Sequence, residues 1–116
     1  MTTYSQGDVV LLPFPFTDLS TTKRRPAVIV SADWFNRLRS DYVFVAITSQ
    51  VPSNPSRDEL SLDQSDLVSA GLPKPFIVKL GKIVTVQQTL IVKPLGKILP
   101  TTLTKILDGV RAVMTP

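Results

Sequence analysis

The chain has 116 residues, 43% hydrophobic and 19% charged, which fits one folded domain spanning residues 1–116 and excludes a disordered polymer. It contains neither cysteine nor histidine, so disulfides, thiolate chemistry and the usual nitrogen and sulfur ligands of zinc are excluded. A net charge of +4 leaves a polyanionic partner open, depending on where the cations fall.

The amino terminus, MTTYSQGDVV, carries no basic leader region. Runs such as VFVAI (43–47) are far shorter than the ~18 to 20 residues of a membrane span. A cytoplasmic protein with no membrane association is therefore expected. Asp8 to Leu12 follows Gly7 and reads as a first strand, which Pro13 and Pro15 should interrupt, opening a loop through Thr22. Pro26 should begin a second strand, AVIV, preceded by the cluster Lys23, Arg24 and Arg25. Ser31 to Arg39 predicts a short helical turn capped by Ser31, with Trp34, Phe35 and Leu38 toward the core. Tyr42 to Thr48 is β-branched, aromatic and almost continuously apolar, as a central strand should be.

Residues 49–58, with two prolines, three serines and an asparagine, read as a surface loop. Residues 59–62 predict a strand, and 64–71 a helical turn ended by Gly71. PFIVKL (75–80) and KIVTV (82–86) predict two strands meeting at Gly81. From about Thr101, Leu103, Ile106, Leu107, Val110 and Val113 recur at helical spacing. Short strands with one terminal helix define a mainly β fold, a small barrel or curled sheet.

Phosphate loops, nucleophile elbows and helices with paired metal ligands are all missing from the sequence. Asp58, Glu59, Asp63 and Asp66 could be imagined around a metal, but four acids beside a loop suit a solvated face or the start of a helix better. The cations cluster at 23–25 and recur as Lys74, Lys79, Lys82, Lys93, Lys97 and Lys105, either as scattered solvated lysines or as an electrostatic footprint for nucleic acid. RNA cleavage is a reaction such a chain could perform without histidine, metal or cofactor, because the 2′-hydroxyl brings the nucleophile within the substrate. The protein then supplies placement and charge. Arginine suits the phosphorane, since its planar fork makes paired bonds to phosphate oxygens.

The segments GDVVLLPFPFTD (7–18), KRRPAVIVSAD (23–33), FVAITSQ (44–50) and GLPKPFIVKLGKIVTV (71–86) together resemble the MazF/PemK family of toxins from bacterial toxin–antitoxin pairs. The resemblance implies a small SH3-like barrel of CcdB/MazF type with a terminal helix. It also implies a homodimer, and a metal-independent, sequence-selective endoribonuclease that cuts single-stranded RNA and is neutralised by a cognate antitoxin. Arg25 matches the family's catalytic arginine and Thr48 its catalytic threonine. Lys23, Arg24, Phe16, Ser49, Gln50 and Lys82 are the expected RNA contacts.

Lys82 stands where many relatives carry glutamine, three residues before the threonine of a QIxT strand, so the RNA sequence read should differ. Phe14 and Phe16 could stack on bases or close the core, and Phe76 reads as a core aromatic. Arginine, with a pKa above ~12, is a poor general base, so only charge stabilisation follows from Arg25, and the base stays unassigned. The rival classes are a toxin of the same fold that acts by binding protein, in the manner of a gyrase poison, and a nucleic-acid-binding module without catalysis.

Overall fold

A computed structural model describes residues 3–15 and 22–116. Its strands are β1 (Asp8–Pro15), β2 (Thr22–Ile29), β3 (Asp41–Thr48), β4 (Glu59–Ser61), β5 (Ile77–Gln87) and β6 (Lys93–Lys97). The helices are α1 (Asp33–Leu38), α2 (Gln64–Ala70) and α3 (Pro100–Val113), and a 3-10 turn covers Gln88–Leu90. The strands form one antiparallel sheet in the order β4-β5-β3-β2-β1-β6. The fold is mainly β with a C-terminal helix, as expected. Among the described residues β4 and β6 are edges, so the sheet is open and its edges do not pair.

Side-chain alternation gives the sheet two apolar faces. Val9, Val28, Val45, Ile47 and Val78 pack on one face with Leu67 and Ala70 of α2 and Ile106 of α3. Val10, Leu12, Phe14, Ala27, Ile29, Phe44 and Ala46 pack on the other. Phe76 belongs to the helix-side core, as its sequence reading held.

Several expectations need correction. β1 runs through Pro13 to Pro15, and β2 begins at Thr22, so Lys23, Arg24 and Arg25 lie inside a strand instead of on a loop before it. The physical reason is the direction of the missing N–H groups. Val30 N–H donates to Val43 O at 2.9 Å, so even-numbered β2 residues aim at β3 and odd ones at β1. Pro26 thus lacks its donor toward β3, just beyond the last pair of that ladder, Ala27↔Ala46. Pro13 and Pro15 likewise lack theirs on the β6 side, beyond the last pair there, Leu11↔Lys93. All three sit beyond the paired part of the ladder their missing donors would face.

Ser31 does not cap α1. The N-cap is Ala32, with no side-chain bond, while the Ser31 hydroxyl donates to the Asn36 side chain and accepts from Val43 N–H. Trp34 and Leu38, expected in the core, are 65% and 61% exposed. β5 is one strand in place of two: Gly81 falls within a bulge, since Val45 pairs with Ile83 but Ala46 with Lys79, leaving Leu80 to Lys82 unopposed. β6, unforeseen, completes the sheet beside β1.

α2 begins and ends as its sequence asks. Asp63 accepts from Asp66 N–H and the Asp66 carboxylate accepts from Asp63 N–H, a capping box, so these acids serve the helix N-terminus. Gly71 closes the helix at φ 72°, where a Cβ would stand 2.1 Å from Leu95 O. The Ser69 hydroxyl donates to Lys97 O at 2.6 Å, and α2 is thereby seated against β6.

A cationic cleft where three strands part

β1 and β2 continue together past both their neighbours. Their last pairs, Pro13↔Arg24, Phe14↔Lys23 and Pro15↔Thr22, lie beyond the β6 and β3 ladders. Arg25 stands at the base of this two-stranded projection, opposite Leu12 and diagonal to Phe14. Alternation puts Arg25 on the face of Ala27 and Ile29, and Thr48 on the face of Phe44 and Ala46, so both leave the same apolar layer. Carrying the β2–β3 register two residues past Ala27↔Ala46 sets Arg25 across from Thr48. Pairing stops there, and the gap becomes a cleft.

The cleft encloses about 140 Å³ and is lined by Phe14 and Arg25 of the projection, Ala46, Ile47 and Thr48 of β3, Gln50, and Lys79 and Lys82 of β5. Arg25 and Thr48, read from sequence as one centre, are thus brought together, and Gln50 and Lys82 join them. Lys82 arrives on the β5 bulge. Phe14 combines both of its sequence readings, being 6% exposed in the core while its ring forms a wall of the cleft. Lys23, Arg24 and Ser49 are exposed and lie outside the lining. Phe16 lies outside the described residues.

Thr48 has its oxygen fixed, because Gln50 N–H donates to Oγ1 at 3.2 Å; its own O–H is left to turn toward the cleft. Lys79 was not foreseen as part of the site. It pairs with Ala46 on one side and Glu59 on the other, so it shares the face of the apolar layer. Its Nζ donates to Glu59 Oε2 at 2.6 Å. Ser56 N–H donates to the other carboxylate oxygen at 2.8 Å, and these bonds hold Glu59 below the usual carboxylate range, the Lys79 bond contributing most. Among the described residues no carboxylate lines the cleft itself. Its cations favour an anion and oppose a divalent metal ion.

A small open β-sheet thus carries an arginine, a threonine hydroxyl and two lysines around one cleft. The model of the PemK-like, MazF-like toxins of type II toxin–antitoxin systems matches residues 5–114, and the chain belongs to that family. No curated protein matches its sequence. Among solved structures it is similar to an endoribonuclease in complex with its cognate antitoxin from a mycobacterial species, at 23% identity, covering 98% of each chain with a TM-score of 0.76. It is also similar to MazF from Deinococcus radiodurans, at 17% identity over the whole of both chains with a TM-score of 0.78. MazE–MazF from the same organism gives 17% identity, 99% and 98% coverage, and a TM-score of 0.73. At these identities the likeness shows the fold. No described helix is long and apolar enough to cross a membrane.

Proposed function

We propose that this toxin is a metal-independent, sequence-selective endoribonuclease that cuts single-stranded RNA in the cleft between β2, β3 and β5. The observation that carries the reading is the shared cleft of Arg25 and Thr48, reached from two strands and enclosed by lysines. In the reaction the 2′-oxygen attacks phosphorus, and the bond from phosphorus to the 5′-oxygen breaks. The proton of the 2′-hydroxyl ends on that leaving oxygen. The products are a 2′,3′-cyclic phosphate and a 5′-hydroxyl.

Arg25 supplies charge where the phosphorane gathers it, and a strand-borne guanidinium beside buried Leu12 loses little freedom on meeting the phosphate. Thr48 adds a neutral donor whose oxygen is already held. Gln50 and Lys82 contact neighbouring nucleotides inside the cleft, Lys23, Arg24 and Ser49 extend the contact beyond it, and Phe16 is a further contact expected from the sequence. The chain acts in the cytoplasm as a homodimer, as its family resemblance implies, and a cognate antitoxin silences it. A protein-binding inhibitor would have no use for an arginine and a threonine placed across one gap, and cleavage separates the nuclease from a plain nucleic-acid binder.

Long RNA incubated with the protein in excess EDTA should yield fragments with cyclic phosphate ends. Arg25→Ala should cut about a hundredfold to a thousandfold more slowly. Undiminished cutting by that variant, or intact RNA with the unmodified protein, overturns the assignment.

A further inference from the structure

The cleft contains cations of two different kinds. Lys82 is exposed, on a bulge at the mouth, where an ammonium acts as a mobile point charge for phosphate. Lys79 differs in every respect. It projects from a paired stretch of β5 between two neighbouring strands, and its side chain is only 26% exposed. The Glu59 carboxylate, 10% exposed, holds its Nζ from behind and offsets its charge. Ser56 N–H in turn fixes that carboxylate.

A lysine so held has lost most of what suits it to phosphate, namely reach and unshielded charge. It keeps N–H donors beyond the one spent on Glu59, and these have a set direction. A directional donor at the wall of a cleft, next to the residues that flank the scissile phosphate, suits a carbonyl acceptor on the edge of an unstacked base.

Building on the endoribonuclease reading above, we propose that Lys79, oriented by Glu59, selects the RNA base beside the cut by donating to a carbonyl oxygen on that base. Glu59 is a positioning residue that acts through Lys79. Sequence reading passed over the pair because Lys79 and Glu59 are twenty positions apart and meet only through the β4–β5 register.

The test is cleavage of a random-sequence RNA pool, with the cut sites sequenced, by the unmodified protein, Lys79→Met and Lys79→Gln. Binding of the same pool by the Arg25→Ala protein, with and without Lys79→Met, is measured alongside. The preferred base at one position should lose about tenfold of its advantage with Met. Gln, which still donates, should retain part of that preference.

Should Met at this position impair folding, the substrate carries the question instead. Removing the carbonyl from the preferred base should slow the unmodified protein about tenfold, and no slowing overturns the proposal. A uniform loss at all sequences with a shallower salt dependence makes Lys79 a phosphate contact and also overturns it. Cutting with an unchanged preference in Lys79→Met sinks this inference alone. RNA neither cut nor bound by the unmodified protein sinks the endoribonuclease reading with it.

Discussion

The role proposed for Thr48 asks one hydroxyl to be both structural and reactive. Its oxygen accepts the Gln50 N–H just past the end of β3, and the residue lines the cleft. Thr48→Val keeps the β-branched shape that the strand favours and removes only the hydroxyl. We expect RNA cleavage to fall about a hundredfold while the melting temperature moves little, and a loss of both together would mark Thr48 as structural. Arg25 and Thr48 were singled out in the sequence by their match to the family's motifs, whereas their place on one face depends on the β2–β3 register, which only the fold reveals. Lys79 was not singled out, since the residues around it read as a plain apolar strand and its carboxylate partner sat in what looked like a solvated acidic stretch. The acids Asp63 and Asp66 were legible as helix-terminal charges, and the capping box is that preference realised.

At the scale of elements, strands rich in branched residues could be read directly, and the errors came from proline and serine. A proline shows in sequence only that a donor is missing, whereas the direction of the missing donor decides whether a strand ends, and that depends on neighbours far along the chain. Ser31 has the residue type of a helix cap, but a buried Asn36 and the Val43 amide compete for its hydroxyl and win. α2 offers a sharp test of seating. Gly71→Ala must place a Cβ against Leu95 O in a left-handed conformation, so the protein should lose about 2 kcal/mol and roughly 10 °C of melting temperature. An unchanged Tm contradicts the docking of α2 on β6.

The β4–β5 ion pair provides a second test, through pH. Because Glu59 is held below its ordinary pKa, the folded state gains stability above the unfolded carboxylate value of about 4.3. That gain is lost as pH falls through the lowered folded value. Thermal melts should show the unmodified protein above Glu59→Gln at pH 7, with the gap closing as the solution is acidified below pH ~4. A gap that widens on acidification has the wrong sign for this pair.

Taken as a whole, the molecule is only modestly basic, at +4, so its affinity for RNA depends on where the cations gather more than on their number. Single-stranded RNA releases counterions as lysine and arginine meet its phosphates, and log affinity should fall linearly with log salt, by ~0.7 per contact. Alternation along β2 puts Lys23 on the face of Arg25 and Arg24 on the opposite one. RNA confined to the cleft face would touch Lys23 and Lys82 but not Arg24; RNA that wraps the β1–β2 projection would touch all three. Salt titrations with an uncleavable oligonucleotide separate these paths. Lys23→Ala and Lys82→Ala should each lower the slope by ~0.7, and Arg24→Ala should do the same because the proposed contact includes it. A slope that Arg24→Ala leaves untouched confines the RNA to one face of the sheet. An antitoxin segment that competes with RNA then needs to cover only the cleft and the near side of β2.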